Sequence, residues 1–245
     1  MSTAALQSTV DEEPRRVAPI WHTIVYFGLL VALTYWLYLA KPGAHKPSLP
    51  STRVNPLWAY VIGFMLDGIL LGLMYLGLRI SKTRLSELMG PGWADRSQVR
   101  RDVIVGTLFS LVLLAVSLLI LVSFPSHRHN DDFLEFLPRT LPQFLLFFAL
   151  LTSAGFFEEL IFRGYLLRQL NHFVGINSAI VIQAVVFAAL HGFDQSVGGT
   201  VDKFVAGGFL GLLAVQRKSL LPGMIAHGCL NGIAAAALGL SQILR

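Results

Sequence analysis

The sequence predicts an all-α, polytopic transmembrane helical bundle of about seven to eight helices, on three observations. Of its 245 residues, 54% are hydrophobic and only 13% are Asp, Glu, Lys or Arg, against roughly 25% charged residues in a soluble domain. Apolar runs long enough to cross a hydrocarbon core of about 30 Å recur along the chain. Aromatic residues bracket the first of them: Trp21 and the Tyr35, Trp36, Tyr38 cluster stand about 25 Å apart at 1.5 Å per helical residue, the spacing of an interfacial belt. The length suits one membrane-embedded domain. The net charge of +5 comes from basic residues beside apolar runs rather than along a groove. They read as topology determinants and contacts to the lipid bilayer, with no nucleic-acid partner. A single cysteine, Cys229, allows no internal disulfide.

Residues 1–19 are expected to form a disordered cytoplasmic tail, polar to Pro14 and ending past Arg15-Arg16. The apolar run 20–40 is too long for a signal-peptide core and ends at Lys41-Pro42 without a small-x-small cleavage site, so it is a retained first helix. A loop with four prolines leads to a second span, 57–80, with Trp58 and Tyr75 as belt residues and Asp67 as a lone acid. The connector 81–101 is basic; within it 83–89 suits a short amphipathic turn, stopped by Gly90-Pro91-Gly92. The third span, from Asp102 or Val103 to Phe124, carries no charge, which makes 20–124 three scaffold helices. The polar loop 125–143 holds His127, His129, Asp131 and Asp132, whose spacing fits no dedicated metal site.

Residues 144–245 contain the remaining spans. The fourth, 145–170, exceeds the roughly 20 residues a span needs, so it must tilt, bend or project. The fifth covers 176–193. The sixth, 204–215, is short and built on Gly207, Gly208 and Gly211, which permit close helix packing. The seventh runs from Leu220 or Leu221 to Leu240. Lys and Arg counted over alternate loops place the amino terminus in the cytoplasm.

Charge inside the fourth span is the functional signal. Glu158 and Glu159 are adjacent carboxylates in hydrocarbon, where ionisable residues are costly and mark sites. Glu159 and Arg163 are i and i+4 and neutralise one another. Glu158 points about 100° away and is left for chemistry. Gln183, Phe187 and His191 form a row on the fifth helix, and His227 and Asn231 share a face of the seventh. If these groups meet in one cavity, Glu158 can take a proton from water and His191 can orient that water. His227 and Asn231 can then donate to a developing oxyanion. Cys229 points roughly 200° away from His227 and is not the nucleophile. Glu158, His191 and His227 are also zinc-ligand types. The residues leave both mechanisms open; the absence of a His-x-x-x-His helix favours glutamate catalysis without a metal cofactor.

Glu158-Glu159-x-x-x-Arg163, Phe187-x-x-x-His191 and His227-x-x-x-Asn231 resemble, in order and spacing, the motifs of the CAAX prenyl protease and bacteriocin-processing (CPBP) family, which includes the type II CAAX prenyl proteases. The Phe204-x-x-Gly207-x-x-x-Gly211 segment resembles a further glycine motif of that family. The resemblance covers about 144–240. It implies an intramembrane endopeptidase with a water-filled cavity open to the cytosol, Glu158 and His191 as water activators, and His227 and Asn231 as the oxyanion site. Glu159, Arg163 and Phe187 would support them. The implied substrate is a peptide or protein, prenylated or not, cut near its membrane-associated end. A non-catalytic scaffold of the same fold is the alternative. A proton-coupled transporter fits less well, because no two related halves are visible.

One expectation conflicts with the rest. Counted from the predicted helix starts, Glu158 lies about 20 Å deep and His191 about 23 Å deep, which antiparallel neighbours would not bring together. Either the fourth stretch breaks near Ser153–Gly155 or the boundaries move.

Overall fold

The computed structural model describes residues 15–40, 55–90, 93, 95–124, 136–191 and 196–244. The tail to Pro14 and the loop with His127, His129, Asp131 and Asp132 lie outside the described residues. The described chain is helical: α1 (Ile20–Ala40), α2 (Pro56–Ile80), α3 (Leu85–Met89), α4 (Arg96–Ser123), α5 (Leu141–Glu159), a π-helical segment (Leu160–Leu166), α6 (Leu167–Val174), α7 (Ile176–His191), α8 (Val197–Arg217) and α9 (Leu221–Ile243). Among the described residues, five helices are long and apolar enough to cross a membrane: α2, α4, the unit from α5 through α6, α8 and α9; Ile20–Trp36 and α7 are shorter apolar helices. The all-α membrane bundle read from composition is what the chain forms.

Local chemistry fixes the ends. Asn55 caps α2 by accepting from the Leu57 N–H at 3.1 Å, ahead of Pro56 at a position where no amide donor is needed. Asp95 caps α4 through the Ser97 N–H at 2.8 Å. Gly175, at φ 77°, makes the turn between α6 and α7, a backbone region that a side chain disfavours. In the bundle α9 is central, packing along α5 on one side and α4 on the other, while α7 pairs with both α8 and α6.

Four expectations change. Residues 15–19 are not part of a free tail: Val17 and Ala18 are buried, and both amides donate to Gln169 Oε1 at 3.0 and 3.2 Å. The third span is charged. Its helix begins at Arg96, so the polar turns read as connector are helical, and Asp102 within it is buried and accepts from Arg217 Nη2 at 2.6 Å. The sixth span begins at Val197, before the predicted 204, because Ser196 caps it and its first polar turns are helical. The fourth stretch does not break at Ser153–Gly155. It continues from Leu141 to Val174, with its irregularity just past the glutamates, at Leu160–Leu166.

That continuity removes the depth conflict. Antiparallel neighbours share a depth scale measured from their common turn, not from each helix's own start. Glu158 and His191 stand 17 and 16 residues from Gly175, roughly 25 and 24 Å along their helices.

Candidate active site

Two close crossings bring α9 against α5. A Cβ placed on Gly155 would stand 2.5 Å from the Gly228 backbone nitrogen, and one on Gly223 would stand 2.8 Å from Glu159 Oε2. Any larger residue at Gly155 would push two backbones apart, so these glycines set the distance at which His227 meets the glutamates.

Glu159 and Arg163 form the base of the site. Both side chains are wholly buried, with Arg163 Nη1 donating to Glu159 Oε1 at 2.8 Å. Arg163 Nη2 donates to the Gly207 carbonyl at 3.3 Å, and the guanidinium lies 4.6 Å from the centre of the Phe187 ring. The same carbonyl accepts from Gln183 Nε2 at 2.8 Å. Gln183, one of the row on α7, is thus tied to α8 rather than turned to the site. A Cβ on Gly207 would meet the Ala184 backbone at 3.1 Å, so a glycine lets α8 come this near α7.

Glu158 stands on this base with two imidazoles. Its Oε2 is 3.7 Å from His191 Nε2 and 3.7 Å from His227 Nε2. The side chain as a whole is 25% exposed, while Oε2 is closed off and has no hydrogen-bond partner among the described residues. A buried carboxylate oxygen left unpaired is expensive, which is expected where a ligand's polar group is to be received.

The far side of each ring fixes its tautomer. His191 Nδ1 is 2.8 Å from the Phe187 carbonyl, which can only accept, so Nδ1 carries the proton. His227 Nδ1 is 3.1 Å from Glu159 Oε1 and donates to that carboxylate. Both Nε2 atoms are left facing Glu158.

Asn231 is placed differently. Its Nδ2 donates to the Leu151 carbonyl at 3.1 Å, anchoring it on α5 about two turns before Glu158. The structure therefore brings Glu158, His191 and His227 together around one oxygen, and sets Asn231 one turn along α9 from His227. The Phe187 ring packs 4.5 Å from His191, 4.9 Å from Phe162 and 6.0 Å from His227, filling the space between them.

Two contributions were not read from the sequence. Glu159 orients His227, a contact between residues 68 apart that no local spacing reveals. The glycine face of α9 was legible as Gly228-x-x-x-Gly232, the same small-residue pattern noticed at Gly207 and Gly211.

Zinc would require ligand atoms about 2.0–2.2 Å from the ion, hence about 3.4 Å from one another in a tetrahedron. Among the described residues no three His, Cys, Asp or Glu side chains are arranged to hold a metal ion.

Residues 140–233 match the family model described as Type II CAAX prenyl endopeptidase Rce1-like. No curated protein and no solved structure matches the chain. The matched segment contains all three motifs and every residue of the glutamate–histidine cluster. The chain is thus a helical membrane protein whose segment 140–233 is similar to the type II CAAX prenyl endopeptidases of the Rce1-like family.

Proposed function

We propose that the chain is an intramembrane endopeptidase that hydrolyses a peptide bond near the membrane-associated end of a peptide or protein, prenylated or not, with water activated by Glu158 and His191. The observation that carries this reading is the convergence of both Nε2 atoms on Glu158 Oε2 at 3.7 Å each. That separation is too long for a direct hydrogen bond and suits a shared water.

The water gives one proton to Glu158 as its oxygen bonds to the substrate carbonyl carbon, while its other hydrogen is held by His191 Nε2. The carbonyl oxygen becomes an oxyanion facing His227 and the free N–H of Asn231. The carbon–nitrogen bond then breaks as the proton on Glu158 passes to the leaving amine. Base and donors come from side chains alone, so the reading is metal-free and cleavage is expected to survive chelators. The basic residues at Arg15, Arg16 and 81–101 support a cytoplasmic amino terminus.

The test is a cleavage assay on quenched peptides with and without a prenyl group, comparing wild type with Glu158→Gln. Loss of cleavage by the folded variant supports the reading. Equal cleavage by both forms, or none by the wild type on either peptide, contradicts it.

A further inference from the structure

A second polar feature lies at one end of the bundle, in a cavity of about 1180 Å³ that Glu158 and the imidazoles do not line. Its walls carry Arg15, Arg16 and Arg168 against a single acid, Glu87. Arg168 is ten residues beyond Glu158 on the same helical unit, roughly 15 Å along it. The cavity opens where α1 begins and α2 ends, which is the level of lipid headgroups in a bundle of these spans.

Arg15 and Arg168 are held in place by the fold. Gln169 is buried; its Oε1 accepts the Val17 and Ala18 amides and its Nε2 donates to the Ala18 carbonyl at 2.9 Å. This clamp fixes the chain immediately after Arg15-Arg16. Arg15 donates to the Ser81 carbonyl at 3.2 Å, and Arg168 donates to the Leu88 carbonyl at 2.9 Å and also to that of Glu87. Arg16 has neither a hydrogen bond nor an ion pair among the described residues. Glu87 turns its carboxylate to the Arg84 amide at 3.1 Å, where it closes the start of α3. Carbonyl partners satisfy guanidinium N–H groups without neutralising their charge. The cavity is left with three arginines, two of them tied to backbone carbonyls, and one acid already engaged.

Such a site suits a phosphate, whose oxygens take the forked donors of arginine. Beside it the first turns of α1 expose Trp21 (56%) and Ile24 (66%), and the end of α6 exposes Phe173 (50%). Apolar surface adjoining fixed cations at the bilayer boundary matches an amphiphile better than a free anion. The geometry points to a binding site for the phosphate headgroup of an anionic phospholipid, formed by Arg15, Arg16 and Arg168, with its acyl chains along α1. This inference does not depend on the proteolytic reading.

The test uses the full chain in detergent, titrated with phosphatidylglycerol, phosphatidylcholine or inorganic phosphate, with thermal stability and native mass spectrometry as readouts. Wild type is compared with Arg16→Ala, which breaks no hydrogen bond or ion pair among the described residues, and with Arg100→Ala/Arg101→Ala, which removes two charges at exposed positions outside the cavity. Phosphatidylglycerol is expected to bind and raise the melting temperature, with phosphatidylcholine and inorganic phosphate having little effect. Arg16→Ala should weaken the phosphatidylglycerol effect about five-fold or more, and the Arg100/Arg101 variant should leave it unchanged. Equal loss in both variants, or none in Arg16→Ala, overturns the site. Phosphatidylcholine binding as well as phosphatidylglycerol overturns it too, and inorganic phosphate matching the lipid overturns the assignment to a lipid.

Discussion

His227 Nδ1 lies 3.1 Å from Glu159 Oε1, the oxygen that also receives Arg163 Nη1 at 2.8 Å. The second glutamate of the pair is therefore the joint between a buried ion pair and a ring that faces the site. Adjacent glutamates on one helix divide the work by direction: Glu159 faces inward to Arg163 and His227, and Glu158 faces the space between the two imidazoles.

Replacing Glu159 by Gln should strike both stability and activity. It leaves the fully buried Arg163 without its counter-charge, a loss of about 3–5 kcal/mol for breaking such a pair. It also leaves the His227 ring without a charged acceptor at Nδ1. Thermal unfolding in detergent, together with cleavage per folded molecule, should show both effects. A variant with wild-type melting would contradict the account of the pair.

The pair between Asp102 and Arg217 gives a contrast away from the cluster. Arg217→Met leaves the buried Asp102 carboxylate without its charged donor and should cost about 1–3 kcal/mol. Cleavage per folded molecule should stay within about two-fold of wild type, measured below the lowered melting temperature.

Helix spacing is the third point. Gly155→Ala puts a methyl group against the Gly228 backbone and should cost about 1–3 kcal/mol as an overpacked contact. It should also lower the cleavage rate by displacing His227. Gly208→Ala meets nothing within 4 Å and should be neutral or slightly stabilising, as alanine is in a helix. Equal effects of the two in an unfolding assay would refute the close-approach argument.

Asn231→Ala removes a proposed oxyanion donor and frees the Leu151 carbonyl. The expected loss in kcat is about 10²–10³, with a stability change of only about 0.5–1.5 kcal/mol. A KM effect with unchanged kcat would mean that Asn231 only holds α5 to α9.

Much of this was legible from the sequence because charge in hydrocarbon is rare. Glu158, His191 and His227 stood out from apolar surroundings, and the pairing of Glu159 with Arg163 followed from helical spacing. The helix bounds at Arg96 and Val197 were not legible, since polar first turns look like loop until their capping residues are seen. The depth of Glu158 relative to His191 was misjudged because the count began at the outer helix starts instead of at Gly175. The hold of Gln169 on Val17 and Ala18, the pairing of buried Asp102 with half-buried Arg217, and the contact of Glu159 with His227 join distant parts of the chain, and no periodicity announces them.

The central claim is that Glu158 and His191 act on one and the same water. Rates of peptide cleavage for Glu158→Gln, His191→Ala and the double variant test it directly. The account predicts that each single change lowers kcat by about 10²–10⁴ and that the double variant is no slower than the worse single one, as for residues that work as a unit. Losses that multiply in the double variant, or a single variant that keeps the wild-type rate, would contradict it.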